Sequence, residues 1–371
     1  MTATVTATAA VDVVCLGESM VTFAPMAPGR LADVPSFVRG IGGAESNVAC
    51  ALAASGHSAK WVGRVGADGF GEHLVAAIAA YGVDTAAVQR DPRRPTGIYF
   101  RTAGERATSG ARPGSGDAPD RSEVVYYRTG SAASAMSRAT LREDDVWSGR
   151  ILHLSGITAA LSADCLDLLR SLLTRGPGRP LVSFDVNYRM SLWPDGGPAG
   201  PRVLLDLARG ADIVFVGEDE AEAAWGLHGD RAIRQAIPEP DVLVVKRGAS
   251  GATVHARQAG AAPGSGPDAV ISVPALRVDV VAPVGAGDAF AAGFLSATLR
   301  GLGPHDRLRH GHLSAAAALT VAGDLAAPPA RAYADRLAAL DPHAWGRLRL
   351  GPGWTAAAEQ GPQDPQEVRI P

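Results

Sequence analysis

Val278-Asp-Val-Val-Ala-Pro-Val-Gly285-Ala-Gly-Asp288-Ala-Phe-Ala-Ala-Gly-Phe-Leu-Ser-Ala-Thr-Leu-Arg300 is the stretch on which the rest of the chain is organised. A β-branched run of Val278, Val280 and Val281 stops at Pro283, and small residues follow. Phe290, Phe294, Ala297 and Leu299 then keep roughly helical spacing, over a run too long for a strand. Gly285, Ala286, Gly287 and Asp288 therefore fall where a strand end turns into a helix N-terminus. The first N–H groups of a helix lack internal partners, and the helix dipole there favours negative charge. Glycines let such backbone approach a phosphate closely. An aspartate in the same turn would repel that phosphate, unless its task is to accept the proton of a hydroxyl attacking it. That is the layout of a phosphoryl-transfer site. Taken alone the stretch does not decide, because Gly-Ala-Gly is easily met by chance in a chain with 44 glycines, and Asp caps helices of every kind.

The composition narrows the field. A chain of 371 residues holds two domains or one large α/β domain, and 46% hydrophobic residues suffice for a sizeable core. The net charge of −3, with no basic run, gives no reason to expect nucleic acid. Cys15, Cys50 and Cys165 are far apart and form no metal or redox spacing, so a reduced, cytoplasmic setting is expected. The first ten residues lack the basic start and apolar core of a signal peptide, and no apolar run reaches membrane-spanning length.

Along the chain, residues 11–16 read as a buried strand ended by Gly17, with no dinucleotide fingerprint after it. Residues 19–39 read as β structure away from the main sheet. Gly40-Ile-Gly-Gly-Ala-Glu-Ser-Asn47 then opens a small-residue helix. Strands are expected at 59–65, 83–89, 97–102 and 123–128, and residues 103–122 read as a mobile polar loop. The second half alternates strands at 151–154, 181–185, 213–216 and 242–246 with helices near 162–173, 201–209 and 218–225. Near-continuously apolar strands in a βαβα rhythm predict an α/β fold: a doubly wound, mostly parallel sheet with helices on both faces. Residues 252–256 and 270–273 read as a hairpin-like pair, and His310 and His312 as decoration of a helix surface. Residues 1–10 and 342–371 read as peripheral tails.

Five signatures in order resemble the PfkB-type, ribokinase-like carbohydrate kinases over residues 11–330. Gly42 and Gly43 with Asn47 resemble the sugar-binding signature. Val65-Gly66-x-Asp68-x-x-Gly71, Asp185-Val-Asn187, Lys246-Arg-Gly248-Ala-Ser-Gly251 and Gly285-Ala-Gly-Asp288 resemble the others. The resemblance implies a small β lid from segments 18–41 and 94–130, with 103–122 as an insertion; a β lid with open edges often pairs, so a homodimer through that lid is expected. It also implies ATP and Mg2+. Asp185, Asn187, Lys246, Gly248, Ser250, Gly251, Gly285 and Gly287 would lie on the nucleotide side, and Asp288 would be the base.

Within the family, Tyr126-Tyr-Arg128-x-Gly-Ser-Ala-Ala-Ser134 and Asp185-Val-Asn-Tyr-Arg189-x-x-Leu-Trp193 resemble 2-keto-3-deoxygluconate kinases. Gly42, Gly43, Asn47, Tyr99, Tyr126, Arg128 and Arg189 would then line the substrate site. A neutral sugar needs no arginine pair. A sugar acid does, because guanidinium meets carboxylate in a bidentate, charge-assisted way. Kinases of neutral sugars such as fructose or ribose, and a non-catalytic sugar or nucleotide sensor, remain as alternatives. Two departures stand out. Gly217-Glu-Asp-Glu220 replaces the family's N-x-x-E, which leaves Glu220 as the metal-side carboxylate, with Asp185 acting through water. Ala282 stands where the family often has Asp, which leaves potassium dependence open.

Overall fold

Six strands of the central sheet run parallel because each is an apolar run joined to the next by a covering segment rather than a tight turn. A computed structural model describes residues 10–27, 29–102, 124–193, 200–258 and 266–359. The sheet order by strand is Ala269–Val273, Ala252–Ala256, Val242–Lys246, Ile213–Gly217, Leu181–Asp185, Gly149–Ser155, Val11–Leu16, Ala59–Val62. Ala252–Ala256 alone runs against the others, antiparallel to both Val242–Lys246 and Ala269–Val273, and it pairs with Ala269–Val273 as the hairpin reading expected.

Side chains alternate across this sheet with period two, and both faces are dry. Val13 and Cys15 enter one core with Trp61, Phe215 and helices Ala44–Ala54, Ala286–Leu299 and Pro304–Leu319. Val14 and Leu16 enter the other with Phe184, Leu154 and helices Ala163–Leu173 and Arg202–Gly210. The result is the doubly wound α/β architecture that the alternating pattern predicts.

A separate four-stranded sheet has the order Phe37–Gly42, Met20–Pro25, Ile98–Arg101, Val124–Tyr127. Aromatic contacts hold it, with Phe23 stacked on Phe100 at 4.9 Å and Phe37 edge-on to Phe100 at 5.2 Å. The expected insertion at 103–122 lies outside the described residues.

Two expectations are corrected here. The segment from residue 342 is not peripheral as far as it is described. Trp345 and Trp354 are 1% and 0% exposed, and Arg349–Leu350 pairs in parallel with Arg277–Val278. Its glycines and prolines shape turns between large apolar anchors. His310 and His312 are buried as well, each 7% exposed. Helix Pro304–Leu319 is covered on more than one side. His312 meets the edge of Phe290 at 5.2 Å, and His310 lies 3.2 Å from Asp335. Burial holds both imidazoles below their usual range, His312 at about 4.

Candidate active site

Helix Ala286–Leu299 starts at Gly285, whose φ of 73° is left-handed backbone. A side chain there would be strained, and its Cβ would also come within 2.3 Å of the Asp324 carbonyl oxygen. No side chain caps this helix. Helix N-terminal N–H groups without a side-chain cap can receive a polar or anionic group. Asp288 lies in the first turn and accepts a hydrogen bond from Asn47 Nδ2 at 2.8 Å. Burial raises its pKa to about 7, the Asn47 bond opposes the rise, and the negative charge of Asp185 adds to it. A carboxylate in that range can take a proton and release it near neutral pH.

These groups form the floor of a cleft of about 460 Å³ between the strand ends and the lid. Gly42, Gly43, Asn47, Tyr99, Tyr126 and Arg128 line it from the sugar-signature loop and the lid. Asp185, Asn187, Arg189, Glu220, Lys246 and Gly248 line it from the strand ends. Asn187 has φ 43°, the one positive value on a non-glycine among the described residues. Asn tolerates this conformation better than most side chains, and such outliers gather at functional sites. Ser250 and Gly251 do not reach the cleft. They complete the turn after Val242–Lys246, where Gly251 has φ 108° and its missing Cβ leaves room for the Val273 carbonyl. Asp68 stays away too. It caps helix Gly69–Ala79 through Gly71 N at 2.8 Å and holds Thr96 N at 2.9 Å.

The cationic side chains are already partnered. Lys246 Nζ donates to both Asp185 oxygens, at 3.0 and 3.1 Å. Burial works against its charge, but Asp185 and Glu220 hold its pKa above the usual lysine range. Arg128 pairs with the buried Glu18. Arg189 donates to Tyr188 O at 3.1 Å and lies 3.4 Å from Glu220 Oε1, with 40% of its side chain exposed. The other Glu220 oxygen accepts from Gly217 N at 3.0 Å, closing the helix start that Asn would cap elsewhere.

Two residues of the cleft, Glu18 and Asp324, escaped the sequence reading. Glu18 lines the cleft and accepts from Ser131 Oγ at 3.2 Å. Its only signal was its place just beyond a strand's C-terminal end, where α/β folds gather ligands. Asp324 accepts from Tyr99 Oη at 3.0 Å and pairs with Arg101 at 2.6 Å. Glu45 is fully buried, accepts from Thr158 Oγ1 at 2.7 Å, and is raised by that burial to about 8. Gly17 is a glycine because any Cβ there would strike the Glu45 carboxyl at 2.1 Å.

A divalent ion brought in by phosphates fits this donor set. Mg2+ commonly binds through one or two carboxylates, several waters and substrate phosphates. Glu220 and Asp185 face the cleft as such carboxylates, while no group of three metal-binding side chains occurs among the described residues. The Ala282 methyl offers nothing to a monovalent cation. Asp279, three residues earlier, is held by Arg349 Nε at 3.0 Å at the surface.

The pfkB family carbohydrate kinase model matches residues 10–331. The chain belongs to that family. This carbohydrate kinase is 34% identical to the 2-dehydro-3-deoxygluconokinase of Bacillus subtilis (strain 168), over 86% of its own length and 93% of the relative's. It is 32% identical to the protein of the same name from Thermoproteus tenax, over 89% and 95%. It is 31% identical to fructokinase-1 of Oryza sativa subsp. japonica, over 76% and 81%. Among solved structures, the PfkB protein from Polaromonas sp. JS666 superposes with a TM-score of 0.71 at 34% identity, covering 88% of this chain and 99% of that one. A sugar kinase from Pyrococcus horikoshii in complex with ATP shares the fold, with a TM-score of 0.70 at 24% identity over 85% and 95%.

Proposed function

We propose that the kinase transfers the γ-phosphoryl group of ATP to the terminal hydroxyl of a sugar acid, 2-keto-3-deoxygluconate fitting best. The observation that supports this most is Asp288. It sits on the floor of the cleft, beside an uncapped helix N-terminus, with its pKa raised to about 7. It accepts the hydroxyl proton as the new P–O bond forms, and it aligns the attack. The N–H groups of Ala286, Gly287 and Asp288 stabilise charge on the transferred group. Bound Mg2+ would neutralise charge on the phosphates, and Glu220 and Asp185 are the carboxylates that would hold it. Lys246, held by Asp185, sets positive charge beside Gly287, its Nζ 3.7 Å from where a Cβ would stand.

The acid part of the reading rests on Arg128 at the lid side of the cleft and Arg189 beyond a strand end. Arg189 is the better reader of a carboxylate, because Glu220 holds it only at 3.4 Å and part of it is open. A second reading, a neutral-sugar kinase, is favoured by the observation that Arg128 already has Glu18 as its counter-charge. The two separate by ADP release with Mg2+ and ATP, with 2-keto-3-deoxygluconate, its galacto epimer, gluconate, fructose and ribose offered singly. Strong preference for a keto-deoxy acid is the expected outcome, and preference for fructose or ribose would overturn the acid reading.

The same proposal includes a homodimer through the lid, where Val38, Val125 and Tyr127 are 55%, 39% and 62% exposed. Light scattering at a monomer mass would reject it. No helix among the described residues is long and apolar enough to cross a membrane. Cys15, Cys50 and Cys165 are free and buried, which suits a reducing, cytoplasmic setting.

A further inference from the structure

Behind the Asn47–Asp288 contact lies a second cavity, about 20 Å³, enclosed by helices Ala44–Ala54, Ala286–Leu299 and Pro304–Leu319 and the segment 324–328. A water needs roughly 10–15 Å³ of such space and two to four polar partners. Asn47 and Asp324 line both this cavity and the main cleft. Asn47 gives its amide N–H to Asp288, so its Oδ1, on the other arm of the amide, turns away from that carboxylate. Asn47 is 4% exposed, and this Oδ1 is buried with no hydrogen-bond partner among the described residues. Ser314 also lines the cavity, while the Ser55 hydroxyl is occupied by Ala51 O at 2.8 Å. The remaining wall is alanine, leucine and proline. A buried amide oxygen left unpaired is costly, so this is a polar site rather than a dry void.

We propose that this cavity is a binding site for one structural water, which donates to Asn47 Oδ1 and Asp324, accepts from Ser314, and so fixes the Asn47 amide with its N–H toward Asp288. The proposal rests on the reading of Asp288 as the base, and it makes Asn47 a positioning residue. A donor on Oδ1 polarises the amide and strengthens its N–H bond to the carboxylate. A reversed amide would set oxygen against oxygen. The other charged groups around Asp288 are Asp185, Arg189, Lys246 and Glu45.

Two measurements test it. A high-resolution crystal structure of the full chain should show an ordered water within hydrogen-bond distance of Asn47 Oδ1, and a site without density overturns the proposal. Ala317→Val adds bulk to the cavity wall without touching the cleft, since Ala317 lines only the small cavity. With the water displaced and the amide loosened, Asp288 loses the bond that holds its pKa down. The rising limb of the pH–kcat profile should move to higher pH, lowering kcat near neutrality about 3- to 10-fold, with recovery at higher pH and KM for ATP unchanged. A folded Ala317→Val protein with the wild-type profile overturns the proposal, and if that variant does not fold the crystallographic result decides. Full turnover in Asp288→Ala would instead remove the base, a distinct failure that leaves the water visible.

Discussion

The two ends of the cleft present positive charge by opposite means. At the phosphoryl end, Gly285 to Asp288 offer backbone N–H groups, and no side chain caps them. At the sugar end, guanidinium groups sit among carboxylates: Arg128 with Glu18, Arg101 with Asp324, Arg189 with Glu220. Backbone dipoles need no counter-ion to be kept in a folded protein, whereas a buried guanidinium without one is costly. The first end comes from one helical turn, and the second needs six segments folded together. Changes at the first end should therefore remove activity and spare stability, while changes at the second should disturb both.

The sharpest way to break this contrast is Asp288→Ala. Loss of the base should lower kcat by about 10²–10⁴-fold while ATP affinity holds, read by ADP release and calorimetry. Turnover near wild type would end the proposal for Asp288. Next in size is Arg128→Ala. Glu18 is 3% exposed, and removing its partner leaves a buried carboxylate alone, at a cost of about 3–5 kcal/mol in denaturant unfolding. Adding Glu18→Gln should recover much of that loss. An Arg128→Ala protein as stable as wild type would show that the ion pair is not the lid anchor its burial suggests.

The same contrast explains what could be read from the sequence. Gly285 to Asp288 are contiguous, and so are the strand ends that carry Asp185 and Lys246, so short local signatures, and the family resemblance resting on them, could point to them. Glu18, Glu45 and Asp324 acquire meaning only through partners far away in the chain. The Tyr99–Asp324 bond, for example, spans 225 positions. Trp345 and Trp354 were hidden for a different reason. Local Pro and Gly content describes the turns between anchors, not the core into which the anchors fold. His310 and His312 do point to different sides of their helix, as i,i+2 residues must, but both sides are covered.

Arg189 sharpens the comparison from the substrate side. With 40% of its side chain exposed and a 3.4 Å contact to Glu220, it is the least committed of the three guanidinium groups. Arg189→Ala should leave the fold intact. It should raise KM for the keto-deoxy acid by roughly 10- to 150-fold, the equivalent of one charge-assisted hydrogen bond of about 1.5–3 kcal/mol. Turnover of fructose, if any, should not change. Equal losses on acid and neutral sugars would make Arg189 a structural neighbour of Glu220, and the neutral-sugar reading would gain.

The smallest expected effect concerns Asp288 as a source of instability. Its pKa rises from 3.8 in an ordinary setting to about 7 in the fold, chiefly through burial. The native state thus holds this proton more tightly than the unfolded chain does. Its contribution to stability is complete below the unfolded value and is lost as pH climbs through about 7. Turnover follows the opposite course, rising over the same window as the base ionises. Asp288→Asn removes the charge and keeps the shape. It should stabilise the protein by on the order of 1 kcal/mol near pH 8 and hardly at all near pH 4, as judged by thermal melts at both values. No gain near pH 8 would mean that Lys246 and Arg189 already offset the ionised carboxylate. The phosphoryl end would then be built like the sugar end, on paired charge, and the contrast between them would fail.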